Sequence, residues 1–472
     1  MPLKLKFPRP EAPSPMFSAA LAIVKVLRDH GRKAFFAGGA ARDMLLGRAP
    51  HDIDIATSAR PEEIQSWFEK TCAIGASFGV VTVLQDGFSF ETATLREERE
   101  YLDGRRPEKV FYTDDEQLDV ARRDFTVNGI LYDPLEEEML DFVGGTEDLR
   151  RGILRTIGNP ERRFSEDYLR ILRAARFAVR LGFELEKATE LAMTALAPKL
   201  KHLSGERIRD ELEKMLLGPH PAHAFRLMQK TGILKIVLPE VSALEGVEQP
   251  PEHHPEGDVF THTMLMLEKM CHPTRELAWS VLLHDIGKKA TAALGRDGNV
   301  HFYGHEKTGS EMSAVILSRL KCSSALITAV EKCVAGHMRF AFVDRMKRST
   351  WLKMIGAPTF PTEMELNRVD CASCHGKMDG YLLMLDRWIA LADKPALPPL
   401  PINGNDLIRL GFRPGVRLGL LLGELRDLFL EGVLTTREEL LEHARRELPP
   451  DAPESPIRQK QKRKARNLPD SP

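Results

Sequence analysis

Two aspartates one residue apart, Asp52 and Asp54, close the stretch GGAARDMLLGRAPHDIDIAT at residues 38–57. In a strand, residues i and i+2 share a face. Read as a strand, DIDIA sends both carboxylates one way and Ile53 and Ile55 into a core. Carboxylates that close repel each other and resist desolvation, and a divalent cation between them relieves both. Hard oxygen donors of this kind suit Mg²⁺, which takes substrate phosphates among its other ligands, and two such ions can serve an in-line displacement at phosphorus. A lone D-x-D is more often a solvated turn or edge strand. Here FFAGG runs as a strand into Gly38-Gly39, and a helix begins near Ala40. Backbone N–H groups at such a turn can hold a triphosphate, and Arg42 in the first helical turn can pair with a phosphate. Together these features point to nucleotidyl transfer.

The spacing around this stretch predicts an α+β chain. KAFFAGG, DIDIAT, VVTVLQ and FSFETATL read as strands of a small mixed sheet, and Pro61 opens a helix between them. From about residue 160 the pattern is almost wholly helical, with amphipathic segments broken by Gly and Pro. Segment boundaries are expected at 1–28 (an N-terminal extension), 29–155 (the α/β head), 156–245 (a helical neck), 246–392 (a His-rich helical domain), 393–450 (a C-terminal helical segment) and 451–472 (a basic, disordered tail). The composition, 43% hydrophobic and 29% charged residues in 472, is that of a globular protein. No apolar run approaches the ~20 residues that span a bilayer, and the N-terminus lacks an apolar signal core, so a cytoplasmic protein without membrane contact is expected.

The ordered motifs resemble those of the class II tRNA nucleotidyltransferases, the CCA-adding enzymes and bacterial poly(A) polymerases. GGAARD…HDIDIATSARPEE resembles the catalytic motif, and FETATLREEREYLDGRRPEKVFYTD the flexible loop. DVARRDFTVNGILYD resembles the RRDFTINA motif, and the segment around RRFSEDYLRILRAARFAVRLGF the EDxxR region. The resemblance is close over about residues 30–240. It implies a nucleotidyltransferase-type head with helical neck and body, and addition of CCA to the 3′ end of tRNA from CTP and ATP, with release of pyrophosphate. It implies that Asp52 and Asp54 bind catalytic Mg²⁺ and that Gly38, Gly39, Arg42 and Asp43 form the triphosphate turn. Arg122, Arg123 and Asp124 would border the nucleotide, with Asp124 and Asn128 near the sugar. Glu166, Asp167 and Arg170 match the nucleotide-selecting set, and Glu91 the residue that steadies the loop. The full-length loop disfavours a CC-only enzyme but leaves an A-adding enzyme or a poly(A) polymerase open. Ala40-Ala41 and Gly129 depart from the usual residues, small for small.

In a helix, positions 166, 167, 170 and 173 share one face. Glu166, Asp167, Arg170 and Arg173 are therefore expected as a polar stripe opposite Ile171, Leu172, Ala175 and Val179. An Asp–Arg pair offers acceptors and donors in fixed geometry. It could read the Watson–Crick edge of cytosine or adenine without a nucleic-acid template.

Residues 250–380 hold nine of the fifteen histidines, and a second constellation lies there in HHPEGDVFTHT, LLHDIGKKAT, FYGHEKTGSE, VAGHM and RVDCASCHG. An apolar helix ending in His284-Asp285 suggests a buried site for a transition metal such as Ni²⁺ or Mn²⁺. The set resembles the HD domain. That likeness implies His262, His284, Asp285 and Asp370 as ligands and His305 and His337 for a second metal, with possible phosphohydrolase action on RNA ends or nucleotides. A metal-dependent hydrolase whose head only binds nucleotide or RNA is the alternative from another class. His253 and His254 are expected off the metal. Cys371-x-x-Cys374-His375 matches the c-type haem string, but no export signal accompanies it, so no haem is expected. The stretch is instead expected as one helix with packed cysteines. The net charge is −1, so contact with tRNA rests on local basic clusters such as RRGILR, RILRAARFAVR and RQKQKRKAR in the tail.

Overall fold

The computed structural model describes residues 2–72, 79–97, 111–250, 252, 254–296, 298–374, 376–392 and 395–447. Residues 98–110, the central part of the expected flexible loop, His253, His375 and the basic tail lie outside them.

The first half is organised by an eight-stranded sheet. Its strands are β1 (Leu3–Lys6), β2 (Ala34–Ala37), β3 (Asp54–Thr57), β4 (Thr71–Cys72), β5 (Val80–Gln85) and β6 (Phe88–Thr94). A short pair, β7 (Arg96–Glu97) with β8 (Phe111–Tyr112), closes antiparallel beside the sheet, and β9 (Ile130–Asp133) and β10 (Glu138–Asp141) complete it. The order is β1-β10-β9-β2-β3-β6-β5-β4, with β3 and β6 parallel and the other neighbours antiparallel. The first 28 residues contribute to this head. β1 is its edge strand, and α1 (Pro15–Asp29) covers one face.

Alternation sets that packing. Phe36, Ile55, Val81, Val83 and Phe90 face the core that holds Phe17, Ile23, Val24 and Leu27 of α1. Phe35, Ala37, Ala56, Leu131 and Leu140 face the other side with Val120. α1 starts where Ser14 accepts from the Phe17 N–H and Pro15 occupies the first turn. The remaining head helices are α2 (Gly39–Leu45), α3 (Pro61–Trp67), α4 (Glu116–Ala121) and α5 (Gly145–Arg151).

Helices follow almost without interruption. α6 (Pro160–Glu166), α7 (Leu169–Leu181), α8 (Lys187–Leu196), α9 (Gly205–Leu216), α10 (Pro221–Lys230), α11 (Leu234–Val237) and α12 (Pro239–Ser242) form the neck. Next come α13 (Val259–Glu268), α14 (Arg275–Leu283), α15 (Lys288–Thr291), α16 (His305–Arg319), α17 (Ser324–Gly336), α18 (Arg348–Ile355), α19 (Phe360–Ser373) and α20 (Asp379–Ile389). One apolar core runs from α1 through α7, α9 and α10 to α14, α17 and α19. α21 (Gly404–Leu410), α22 (Val416–Glu431) and α23 (Arg437–Arg446) close a separate small core around Leu407, Leu425 and Leu440. The single helix expected over the Cys371–Cys374 stretch is instead two, α19 and α20. The chain breaks between them around Gly376, whose φ is +71°. Among the described residues, no helix is long and apolar enough to cross a membrane.

Candidate active site

Strand register assembles the head site. β2 and β3 pair with Ala37 opposite Asp54, so the carboxylate lies beside the residue that leads into Gly38-Gly39. β3 and β6 pair with Ile55 opposite Thr92, which sets Glu91, midway along β6, beside Asp54 at the start of β3. β3 starts at Asp54, so Asp52 precedes the strand instead of lying in it. The expected alternation holds nonetheless: Asp52 and Asp54 are exposed, and Ile53 and Ile55 are buried. Although the Asp54 side chain stays open to solvent, desolvation by the protein atoms crowded around it and the charges of Asp52 and Glu91 push its carboxyl up to about 6, against the pull of Arg123. Among the described residues, no ion pair neutralises Asp52, Asp54 or Glu91. Uncompensated oxygen donors on one edge fit a divalent cation, and Asp52 and Asp54 with Glu91 nearby are the residues that would hold it.

Gly38 takes φ +61° and ψ −116°, a conformation costly for any side chain. A Cβ there would sit 3.5 Å from an Arg123 guanidinium nitrogen, and one at Gly39 would sit 3.5 Å from an Arg42 nitrogen. The turn is thus flanked by two cations. Gly38→Ala is expected to weaken nucleoside triphosphate binding about fivefold or more, from a backbone cost of about 1–3 kcal/mol. Titration of triphosphate affinity checks this, and an unchanged Kd would remove the turn from the site.

Arg42 is buried, and Asp43 and Asn128 already engage it. Its Nε donates to Asp43 (2.9 Å) and an Nη to the Asn128 amide oxygen (2.7 Å). Asn128 donates to Asp124 (3.1 Å), and Arg173 donates to the other Asp124 oxygen (2.9 Å). Burial opposes the charge on Asp124, but Arg173 and these hydrogen bonds hold its carboxyl below the usual range. The motif RRDFTVN is therefore part of a hydrogen-bonded chain from the Gly38-Gly39 turn to α7. Arg42, Arg173 and Arg176 all pack over the Phe177 ring, with guanidinium carbons 5.6, 5.3 and 4.2 Å from its centroid. Gly129 has a local reason: a Cβ there would lie 2.8 Å from a Val143 methyl.

The EDxxR residues do not share one helix. α6 ends at Glu166, Asp167 is extended (φ −154°, ψ 106°), and α7 begins at Leu169. The Asp167 side chain accepts from the Leu169 N–H (3.0 Å) and starts the second helix. Asn159 and Pro160 start the first. The expected neighbours still meet. Arg170 donates to Glu166 (2.6 Å) and to the Arg122 carbonyl (3.1 Å), and Arg163 donates to Glu166 (2.8 Å). Asp167 pairs with Arg207 of α9 (2.7 Å).

Sequence reasoning missed three of these residues. Asp119 is fully buried and takes bidentate contacts from both Arg122 (2.8 and 2.6 Å) and Arg123 (3.3 and 2.9 Å). Its i,i+3 and i,i+4 spacing to the two arginines was a readable signal. Arg207 and Phe177 act across the fold, and local spacing carried no sign of them.

The histidine constellation also closes. Nδ1 of His284, His305 and His337 faces the backbone carbonyls of Val281 (2.9 Å), Phe302 (2.8 Å) and Val334 (2.7 Å). A carbonyl only accepts, so each Nδ1 carries a proton, while the Nε2 atoms of His305 and His337 lie 3.2 Å apart and face Asp285. His284 Nε2 lies 3.0 Å from Asp285 and His262 Nε2 lies 3.2 Å from Asp370, and neither makes an aligned hydrogen bond. Asp285, His305 and His337 form a second set whose donor atoms lie within 4.8 Å of one another. Buried ring nitrogens without a hydrogen bond, facing carboxylates, fit metal ions that would displace any proton there, as does the outer support that fixes the rings. His262 Nδ1 is held by Glu256 (2.6 Å), which also holds His254 (2.9 Å). Lys288, unexpected in the reading of HDIGK, bonds Asp285 (2.7 Å) and Gln249 (2.7 Å). Cys371 and Cys374 line the same cleft.

The family model described as "Poly A polymerase head domain" matches residues 34–155, and one described as "Probable RNA and SrmB-binding site of polymerase A" matches 182–244. The CCA-adding enzyme of Lactobacillus helveticus is 33% identical over 429 residues, 90% of this chain and 96% of that protein. That of Geobacillus thermodenitrificans is 35% identical over 359 residues, 75% of this chain and 82% of that one. The crystal structure of the Bacillus stearothermophilus CCA-adding enzyme in complex with CTP superposes with a TM-score of 0.69 at 28% identity, covering 96% of this chain and all of that one. This chain belongs to the class II tRNA nucleotidyltransferase family, that of the CCA-adding enzymes and bacterial poly(A) polymerases.

Proposed function

We propose that this chain adds CCA to the 3′ end of tRNA from CTP and ATP, without a nucleic-acid template. The observation that carries this reading is the junction of the carboxylate edge with the selection network. Asp54 lies beside the Gly38-Gly39 turn, and Arg170 and Arg173 bind the Arg122–Asp124 segment that flanks the turn. In the reaction the RNA 3′-hydroxyl oxygen forms a bond to the α-phosphorus. The bond from that phosphorus to its β-bridging oxygen breaks, pyrophosphate leaves with the electron pair, and the hydroxyl proton passes to solvent. Divalent cations, Mg²⁺ in this reading, supply positive charge to the α-phosphate and the leaving group when bound. Asp52 and Asp54 hold them, and Glu91 adds charge beside Asp54. The Gly38-Gly39 turn and Arg123 seat the triphosphate, while Arg42 and Asp43 brace the turn. Asp124 and Asn128 border the sugar. Asp167 and Arg170 read the base edge, held in place by Arg207 and Glu166. The protein's work is positioning and fixed charge.

Three pyrophosphates per tRNA transcript lacking CCA, matched by two labelled cytidines and one adenosine, are the expected stoichiometry. One adenosine on transcripts ending in CC alone would make it an A-adding enzyme, and many adenosines a poly(A) polymerase.

Asp54 sets the acid limb. At limiting Mg²⁺, kcat/KM is expected to fall below about pH 6, and the limb should move to lower pH as Mg²⁺ is raised, because proton and dication compete for the same oxygens. A profile flat from pH 5 to 7 would show that Asp54 does not titrate there. On metal-free stability the sign is fixed by the raised value. The Asp54 contribution is fully present below its ordinary 3.8 and is lost as pH rises through about 6.

A second reading applies to the histidine centre, favoured by its orphaned Nε2 atoms. It binds a transition metal such as Ni²⁺ or Mn²⁺ through His262, His284, Asp285 and Asp370, with His305 and His337 for a second ion, and hydrolyses phosphoesters on nucleotides or RNA ends. Metal added to the chelator-treated chain at about 100 times its Kd is expected to stabilise it by about 2.7 kcal/mol. The gain should grow with pH up to about 9, where His262, raised by Asp370 and Glu256 against its burial, gives up its proton. A thermal midpoint indifferent to Ni²⁺ and Mn²⁺ would leave the histidines structural.

A further inference from the structure

We infer that Tyr303 is a nucleobase platform at the mouth of the histidine cleft, so that this centre takes a phosphate carried on a nucleoside. This rests on the phosphohydrolase reading above and deepens it. The cleft encloses about 850 Å³. Asp285, His305, His337 and Lys288 line it, and the segment from His301 to His305 forms part of its wall. Phe302 packs beneath the Lys288 ammonium, 5.6 Å from the ring centroid, and its carbonyl orients His305. Tyr303 turns the other way and is 80% exposed while lining the same cleft.

Its ring lies flat on the His301 imidazole, with centroids 5.2 Å apart and planes inclined by 12°. His301 is itself fixed in a short antiparallel pair, opposite Ala293. The tyrosine therefore has one face braced and the other open. A rigid, open aromatic face is what single-stranded nucleic acids stack on, since every base has a π-face. Lys288, Arg345 and Lys377 line the same cleft beside four aspartates, Asp285, Asp344, Asp370 and Asp379, so bound metal would have to supply the net positive charge that a phosphate ester needs. Only Gly304 separates Tyr303 from His305, so the platform and the metal donors lie within one nucleotide's reach.

The test compares the full chain with Tyr303→Ala and Tyr303→Phe in the presence of Mn²⁺. Substrates are 3′-AMP, a short RNA ending in a 3′-phosphate, and β-glycerophosphate, which has no base. Fluorescence of 2-aminopurine riboside 3′-monophosphate reports stacking independently of turnover. In Tyr303→Ala, KM for the two base-bearing substrates is expected to rise about tenfold with kcat held within twofold. β-Glycerophosphate should be unaffected, fluorescence quenching should be lost, and Tyr303→Phe should restore both. An effect confined to the oligomer would place the platform on RNA ends; an equal effect would place it on any nucleoside phosphate. Equal KM values and equal quenching in wild type and Tyr303→Ala would overturn the platform. If the wild type hydrolyses none of the three, the hydrolase reading fails and the quenching alone decides the platform.

Discussion

Asp54→Ala is expected to lower nucleotide addition by 10³-fold or more while leaving the head folded. The activity loss follows from removing a charged group aimed at the reacting phosphates, where a single fixed electrostatic partner is worth about 10²–10³ in rate and a lost metal ion more. The stability expectation has the opposite sign. Asp54 has no ion-pair partner among the described residues, and desolvation by the surrounding protein and its neighbours Asp52 and Glu91 already disfavour its charge. Removing that charge should hold the thermal midpoint or raise it. Single-turnover extension of a CC-ended tRNA gives the rate, and calorimetry gives the midpoint. A variant that still extends tRNA at more than a tenth of the wild-type rate would remove Asp54 from the chemistry. Asp54→Asn should be as inactive, since it keeps the shape and loses the charge.

Asp119→Ala is expected to act through structure. The carboxylate is buried between two guanidinium groups, and their charges outweigh its desolvation and hold it below the usual carboxylate range. Removing one partner of a buried ion network leaves the others uncompensated, a loss of about 3–5 kcal/mol. Arg123 also flanks Gly38, so the nucleoside triphosphate KM should rise together with the loss of stability. Asp119→Asn keeps the acceptor oxygen and should fall between the two. A head that melts within 1 °C of wild type in Asp119→Ala would show that the arginines find other partners.

The parts of this site that were legible in the sequence are those set by local period. The D-x-D pair, the Gly-Gly turn and the Ile53/Ile55 alternation follow from the two-residue repeat of a strand and the glycine that ends it. The candidate donors of the histidine centre were legible as a set of residue types in order, and the fold brings His262, His284, Asp285 and Asp370 together from α13, the end of α14 and α19. The break at Asp167 was not legible. Helical spacing placed Glu166 and Arg170 together correctly, but one Asp side chain capping Leu169 competes with helix continuation. β1 was missed because LKLK packs against β10, more than 130 residues away, with all four residues exposed. Arg207 meets Asp167, and Phe177 gathers Arg42, only through tertiary packing. No periodicity records that.

The most direct measurement uses three tRNA transcripts, ending before CCA, after C and after CC. Each is incubated with Mg²⁺ and CTP, ATP or both, and the 3′ ends are sequenced. With both nucleotides, all three should finish as CCA. CTP alone should stop the first two at CC, and ATP alone should extend only the third, by one residue. No extension of any transcript would contradict nucleotidyl transfer at Asp52 and Asp54 and leave the histidine centre as the chain's chemistry.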